Sequence, residues 1–212
     1  MITGPRVDVY VGTTKKHYCL PKLLLCHYSD FFDCCFNGEF IEGQTQKLNL
    51  PEDEVVDFEV LLEYMLYGNM PRPLKMVEKG PAAVKRCMDF LVYADKYNLG
   101  VICDGAIYKP LKAALTENYT TPTVNNKIRV KGPPKITAIE IGLTFRIAPA
   151  GSSLRKLVAQ ASLSAIGVHK SCKFAEQEEQ IDGFASEFLQ QLVSSVERLT
   201  WRDPLTDKIR TD

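Results

Sequence analysis

Four side chains near the start of the chain carry groups that could ligate a metal ion or attack a substrate: His17, Cys19, Cys26 and His27. Imidazole and thiolate are the ligands that zinc prefers, but this spacing is not that of a zinc finger. His17 and Cys19 also fall on one face of a strand with a two-residue period. Because a half-buried free cysteine behaves as a small hydrophobe, we predict that these residues pack structurally and that the chain binds no metal.

The signatures of common enzyme classes do not occur in the sequence. We find no GxSxG, P-loop, GxGxxG or HExxH pattern. A cysteine nucleophile needs a basic neighbour that lowers the pKa of its thiol, and no such pair stands out. We therefore predict no catalytic residue, no cofactor and no small-molecule substrate. A Cys-dependent enzyme is the remaining alternative of this class, and one hyper-reactive thiol would reveal it.

Composition is typical of a globular protein with reduced thiols. The chain has 212 residues, 45% of them hydrophobic, which suits one or two compact domains. Lys and Arg total 26, as do Asp and Glu, so the basic surplus of a dedicated nucleic-acid binder is missing. The seven cysteines form no CxxC pair, the amino terminus lacks an apolar signal segment, and no apolar run approaches a membrane span. We expect a cytoplasmic or nuclear protein without membrane contact.

Strand patterns and a helix cap mark the first half of the chain. Val7–Val11 alternates and is β-branched, which is typical of a strand, and His17–Leu20 returns as the second strand of a hairpin. Ser29 suits the N-cap of the second of two short helices. A third short strand is predicted at Gln46–Leu50. Together they predict a mixed α/β unit over residues 5–118.

Helices fill the rest of this unit. Pro51–Asp53 is predicted to open one of them, with an apolar stripe that follows the helical period. Two more are predicted at 82–97 and 102–117, and Pro110 should kink or break the second of these. The stripe of the first helix consists of Val55, Phe58, Leu62 and Met65.

Residues 119–135 differ in composition from both flanks and are predicted to be a linker. Thr, Pro, Asn, Gly and Lys dominate there. The basic run within it is interpreted as a solvated loop, with a nucleic-acid patch or a nuclear-import signal as the alternative. That run consists of Lys127, Arg129, Lys131 and Lys135.

A helical region is predicted over 136–200. Thr137 and Glu140 have the spacing of a capping box, and Ser153 can cap the following helix. A last amphipathic helix follows a polar stretch at 167–180. Its apolar residues are Phe184, Phe188, Leu192, Val196 and Leu199.

This order of strands and helical pairs resembles the BTB/POZ fold. The resemblance implies an α/β (α+β) fold with a short mixed sheet and helical hairpins, followed by a helical C-terminal region. It also implies a non-enzymatic protein–protein interaction module that acts as a scaffold or adaptor. Phe145–Leu157, with Glu187–Leu189, resembles the helical tails of BTB proteins abundant in filamentous fungi. In the first half, the resemblance to the BTB/POZ fold rests on six motifs that occur in the family's order: Asp8–Gly12, Leu20–Cys26, Ser29–Phe32, Leu48–Asp53, Tyr64–Gly68 and Leu91–Leu99.

Two features depart from the family pattern. Pro21 stands where the family usually has His. Many BTB domains dimerise by exchanging a helix that precedes the first strand, and only six residues precede it here. We therefore expect protein partners but not the helix-exchanged homodimer, while other self-association stays open.

The resemblance also implies two sets of site residues. Phe40-Ile41-Glu42 is similar to the hydrophobic-x-Glu motif that cullin-binding BTB adaptors carry after the second helix of the pair. There an apolar anchor fills a pocket on the partner while the carboxylate fixes orientation. Asp8 and Lys22 stand where many BTB domains carry an acidic and a basic residue that meet near the dimer groove, and they could pair here. The alternatives are a loop with one packed Phe and two ordinary surface charges.

Three functional hypotheses follow from these observations. The first is a scaffold with an unidentified protein partner. The second is a substrate adaptor of a cullin-RING ubiquitin ligase, and the third is a Cys-dependent enzyme. The sequence contains no kelch, MATH or zinc-finger segment that would recruit a substrate. We therefore place the scaffold first.

Overall fold

The structure is a computed structural model in which seven stretches of the chain are described. The predicted helix end at Gly68, and the thiols of Cys103 and Cys172, lie outside them. None of the helices in the described stretches combines the length and the apolar composition that crossing a membrane requires. The described residues are 4–67, 80–100, 106–122, 128–164, 174–195, 200–202 and 209–211.

A three-stranded mixed sheet opens the chain. Its strands are β1 (Arg6–Val11), β2 (Lys16–Pro21) and β3 (Lys47–Leu50), in the order β2-β1-β3. β1 runs antiparallel to β2 and parallel to β3. Because side chains alternate across a strand, every second residue of β1 points into the core, and the buried set is Val7, Val9 and Val11. The predicted short mixed sheet is confirmed.

A helical hairpin follows β2. α1 (Lys22–Tyr28) and α2 (Asp30–Asn37) are separated by Ser29 alone. The Ser29 hydroxyl accepts a hydrogen bond from the Phe32 amide at 3.2 Å, so the predicted N-cap is confirmed. The same hydroxyl donates to the Tyr97 carbonyl at 2.5 Å, which ties the hairpin to a helix much later in the chain.

Residues 40–42 begin a short helix rather than lying in the predicted loop. This helix is α3 (Ile41–Thr45). The Phe40 carbonyl accepts from the amides of Gly43 and Gln44, at 3.0 and 3.3 Å, so helical hydrogen bonding starts at the motif itself.

The prediction that Pro51–Asp53 opens a helix is wrong. Helix α4 (Val55–Tyr67) begins two residues later, and the predicted opening residues form a turn. Two groups of Asp53 hold the turn. Its amide donates to the Leu50 carbonyl at 3.3 Å, and its side chain is buried in the interior. A carboxylate that is bound in the interior is not free to cap the following helix.

Two further helices complete the first half close to their predicted positions. They are α5 (Pro81–Lys96) and α6 (Tyr108–Thr116). Pro110 is the third residue of α6, and α6 follows directly on a π-helical turn at Ala106 and Ile107. The predicted irregularity near Pro110 therefore lies just before the proline, where the helix is of the π type.

The segment predicted to be a linker contains a β-hairpin. β4 (Tyr119–Pro122) pairs antiparallel with β5 (Ile128–Lys131). The Tyr119 ring lies so close to Gly80, at the start of α5, that any side chain there would overlap it. The predicted linker therefore contains regular structure, and Tyr119 joins its first strand to the start of α5.

The second half is mainly helical. α7 (Ala138–Ile147) and α8 (Ser153–Ser164) are followed by α9 (Ala175–Gln180) and α10 (Phe184–Ser194). α9 lies within the polar stretch for which no helix was predicted. A small hairpin, also not predicted, ends the described chain with β6 (Thr200–Arg202) and β7 (Ile209–Thr211).

The sequence predicted the N-cap of α7 correctly and placed the N-cap of α8 one residue too late. Thr137 and Glu140 form the predicted capping box, with the Thr137 amide 2.7 Å from the Glu140 carboxylate. For α8 the capping hydroxyl belongs to Ser152 rather than Ser153, because Ser152 Oγ accepts from the Arg155 amide at 3.3 Å. An N-cap hydroxyl bonds an amide two or three residues ahead, and here α8 begins immediately after Ser152.

Arg155 fixes the turn that joins α7 to α8. Its guanidinium donates to the carbonyls of Ala148 and Phe145, at 2.7 and 2.5 Å, and lies 4.9 Å from the centre of the Phe145 ring. Carbonyls in the last turn of a helix lack partners within it, so Arg155 supplies the donors that close α7.

The two halves share one continuous apolar core. α7 packs on α5, and α8 packs on α6. Ile136 and Ile141, placed for a hydrophobic staple, are both fully buried. The Thr144 hydroxyl donates to the Met88 sulfur on α5 at 3.7 Å. Separate folding of residues 5–118 and 136–200 stays a prediction.

We expect trypsin to cut the native chain first within residues 119–135, because four basic residues lie in that stretch. The two fragments should remain associated after cleavage, since α7 and α8 pack on α5 and α6. Mass spectrometry of early time points, with gel filtration of the nicked protein, checks both statements. Earliest cuts inside 50–100 would show that the boundary is misplaced.

Candidate protein-interaction site

The Phe40-Ile41-Glu42 motif lies beyond the end of α2, at the start of α3. Phe40 is the N-cap residue of α3 and Ile41 is its first residue. Their relative exposures are 65% and 63%, whereas Glu42 is half-buried. This exposure favours the anchor over the packed loop residue of the alternative interpretation. Two adjacent apolar side chains face solvent at a helix start.

Two glycines allow α3 to sit against the end of α2. A Cβ on Gly38 would overlap the Cys34 carbonyl oxygen, and a Cβ on Gly43 would overlap the Gly38 carbonyl oxygen. Only glycine permits backbone approaches of this kind. The position of the motif relative to α2 is thus set by close backbone packing.

The end of α2 receives two side-chain donors. Lys22 Nζ donates to the Phe36 carbonyl at 2.8 Å, and Gln46 Nε2 donates to the same carbonyl at 3.1 Å. The last carbonyls of a helix lack partners within it and carry partial negative charge, so a cation and an amide donor both stabilise them.

Asp8 and Lys22 do not pair with each other, in contrast to what the resemblance implies. Asp8 Oδ1 lies 2.7 Å from His17 Nε2, and the His17 ring stacks on Tyr10 at 4.9 Å. Strand register explains the difference. Tyr10 lies opposite His17, so Asp8 reaches the imidazole from its neighbouring position on the sheet. Lys22 instead bonds to the end of α2.

A buried polar network centred on Asp53 was not predicted. Its carboxylate, 2% exposed, accepts from the Tyr93 hydroxyl at 2.6 Å, from Lys96 Nζ at 2.5 Å and from the Tyr97 hydroxyl. Burial acts to raise the Asp53 pKa, but the three donors outweigh it and the pKa is lowered. One sequence pattern could have indicated the donors of this network. The spacing of three and four residues places Tyr93, Lys96 and Tyr97 on one helix face.

The Asp53 network also supports the motif indirectly. The Tyr97 ring stacks on Phe32 of α2, with ring centres 5.1 Å apart. Burial, then the hydrogen bond to Asp53, raises the pKa of Tyr97. Tyr97 therefore remains a neutral donor, and its position connects α5 to the hairpin that carries α3.

Three of the described thiols, those of Cys26, Cys35 and Cys87, do not have the environment of a catalytic cysteine. Burial raises the pKa of Cys26 and Cys35, and it raises the pKa of Cys87 to about 12. A raised pKa reduces the thiolate fraction and hence nucleophilicity. Cys26 points its sulfur toward the Phe32 carbonyl, 3.7 Å away.

The four residues considered for metal binding are distributed over two elements. His17 and Cys19 lie on β2, whereas Cys26 and His27 lie on α1. His17 is engaged by Asp8, and the His27 ring packs edge-on against Tyr28 at 5.0 Å. Among the residues that the structure describes, no three His, Cys, Asp or Glu side chains are grouped as metal ligands.

A small mixed sheet flanked by helical hairpins defines an α+β fold. Residues 4–103 match the family model of the BTB/POZ domain. This stretch is therefore similar to a BTB/POZ domain, and the predicted BTB/POZ resemblance and fold are confirmed over it. BTB/POZ domains are a family of protein-interaction domains, generally non-enzymatic, so protein partners are implied. No curated protein is significantly similar to the chain.

Proposed function

We propose that the chain is a non-enzymatic scaffold or adaptor that binds a partner protein through Phe40, Ile41 and Glu42. The observation that carries this proposal is the exposure of Phe40 and Ile41 on a helix whose position is fixed. Exposed apolar side chains that lie singly are ordinary, but an adjacent aromatic and aliphatic pair on a fixed element is suited to be an anchor.

The chemistry of the segment indicates the kind of pocket that it would enter. An aromatic side chain buries about 150–250 Å² on entering a pocket, which is a large share of the energy of a small interface. Exposed Glu39 and half-buried Glu42 flank the apolar pair. The complementary surface is therefore an apolar pocket with basic residues at its rim.

A cullin is the second, more specific candidate for the partner. Phe40 and Glu42 have the hydrophobic-x-Glu spacing that the family resemblance associates with cullin binding, and the exposure of Phe40 favours this candidate. The protein would then be the substrate adaptor of a cullin-RING ubiquitin ligase in the cytoplasm or nucleus, with the helices after residue 136 available for the substrate. The raised pKa values of Cys26, Cys35 and Cys87 disfavour these three thiols as nucleophiles.

Phe40→Ala should weaken binding to a cullin N-terminal domain by roughly thirtyfold, because truncating an aromatic hot spot costs more than ~2 kcal/mol. Glu42→Lys should weaken it as well, since it places the wrong charge against a basic rim. Isothermal titration calorimetry with the full chain measures both effects.

Ile139→Ala is the matched control for this experiment. Ile139 is 75% exposed on α7, so its truncation removes an equally accessible apolar side chain outside the motif. It should leave the affinity unchanged. If the wild-type chain does not bind the cullin domain at tens of micromolar, the cullin adaptor is refuted and the general scaffold remains.

A further inference from the structure

We infer that Gln46 is a positioning residue for the exposed anchor: it holds α3 against the end of α2 and so sets the direction in which Phe40 and Ile41 leave the surface. The inference rests on the proposed function of that segment. Gln46 is half-buried and belongs to neither the apolar pair nor its acidic flank. Its effect on binding would therefore pass through the conformation of α3.

The backbone of Gln46 joins α3 to the sheet. Gln46 has a left-handed conformation, with φ of 55° and ψ of 34°, which residues other than glycine adopt at a cost. Its amide donates to the Glu42 carbonyl at 2.7 Å, and its carbonyl accepts from the Asp8 amide of β1 at 3.0 Å. These two bonds hold the unusual conformation in place.

The side chain of Gln46 makes a second connection, to α2. Its Nε2 donates to the Phe36 carbonyl at 3.1 Å and to the Gly43 carbonyl at 2.5 Å. A primary amide has two hydrogens, so it can make both bonds at once. One residue therefore connects the last turn of α2, the middle of α3 and the first strand of the sheet.

A helix of five residues cannot maintain itself by its own hydrogen bonds, because nucleation is unfavourable and short isolated helices are marginal in water. α3 depends on connections from outside, and its C-cap residue Gln46 supplies the described side-chain hydrogen bond to α2. The second bond of the same amide goes back to the Gly43 carbonyl within α3. Without the Gln46 bonds, Phe40 and Ile41 would sample several directions. The conformational entropy lost when they become ordered on binding would then reduce the affinity.

The test uses Gln46→Glu in the full chain, because this change keeps size and shape but replaces the donating amide with a carboxylate facing two carbonyl oxygens. The matched control is Thr45→Val, which removes a hydrogen bond of 2.7 Å from the Thr45 hydroxyl to the Ile41 carbonyl within α3 itself. Gln46→Asn, which tolerates the left-handed conformation and retains the donor at shorter reach, is the conservative variant.

Hydrogen exchange of the Gly43 and Gln44 amides is the first measurement. It should accelerate by about tenfold or more in Gln46→Glu, change little in Thr45→Val and be intermediate in Gln46→Asn, while the β1 amides keep their protection. Unchanged exchange of the α3 amides in Gln46→Glu would overturn the inference. So would equal acceleration in β1, because Gln46 would then support the whole domain.

Affinity for the cullin N-terminal domain is the second measurement. It should fall about fivefold or more in Gln46→Glu and recover in part in Gln46→Asn. Faster exchange with unchanged affinity would overturn the positioning role. If the wild-type chain does not bind, the cullin proposal fails, and exchange alone decides whether Gln46 holds α3.

Discussion

Replacing Asp53 with alanine is expected to lower the free energy of unfolding by about 2–5 kcal/mol, because each buried hydroxyl left without an acceptor costs about 1–3 kcal/mol. The change leaves the buried hydroxyls of Tyr93 and Tyr97 without their acceptor and removes the partner of Lys96. Urea denaturation at neutral pH, followed by circular dichroism, measures this loss.

The acid dependence of stability provides an independent check. The Asp53 pKa is lower in the folded chain than the value of about 3.9 for an unfolded Asp. The unfolded state therefore takes up the proton first as the pH falls. The stabilisation from Asp53 is complete above about pH 5 and is lost as the pH falls through the folded-state pKa. Asp53→Asn should lack this part of the acid dependence.

Two comparison variants make the result specific to the network. Asp95→Ala removes an exposed carboxylate from the same part of α5 and should change stability by no more than about 0.5 kcal/mol. Tyr93→Phe removes one donor and should cost about 1 kcal/mol. If Asp53→Ala were no more costly than Asp95→Ala, the buried network would not stabilise the fold.

Phe32→Ala should destabilise the chain by about 3–5 kcal/mol, as expected for removal of a fully buried aromatic ring. Phe32 is 0% exposed and stacks on Tyr97, so its loss opens a cavity between α2 and α5. Thermal unfolding monitored by calorimetry compares it with Phe40→Ala. The same truncation at 65% exposure should cost no more than about 0.5 kcal/mol.

This pair of variants separates the two interpretations of Phe40. If Phe40→Ala lowered the melting temperature as much as Phe32→Ala, Phe40 would be a core residue and the motif would be coincidental. If only Phe32→Ala lowers it, any loss of partner binding in Phe40→Ala comes from the lost contact.

Local patterns predicted those parts of the fold that local forces determine. The alternation in β1 and the caps at Ser29 and Thr137 depend on residues a few positions apart, so periodicity and capping rules are sufficient for them. The turn at Pro51–Asp53 was mispredicted because the partners of Asp53 lie about forty residues away. A pattern that favours a helix start was overridden by a tertiary contact.

The candidate site was also predicted only in part. Family resemblance identified Phe40-Ile41-Glu42, but neither its exposure nor the helix that carries it follows from the motif. α3 depends on Gln46 and on close backbone approaches at Gly38 and Gly43, and neither a hydrophobic period nor a capping pattern marks these features in the sequence. Of the two possibilities left open for Asp8 and Lys22, pairing is not seen, because strand register brings His17 to Asp8.

The residues that support α3 and the residues that it exposes are different, and this separation affects how such a protein can evolve. The residues that build the support, Gly38, Gly43 and Gln46, are distinct from the residues that face outward, Phe40 and Ile41. Substitutions at the outward positions leave the support intact, so, under the proposed function, partner preference can change at little cost to stability. The same property makes these two positions suitable for libraries in which new recognition sequences are displayed on an unchanged scaffold.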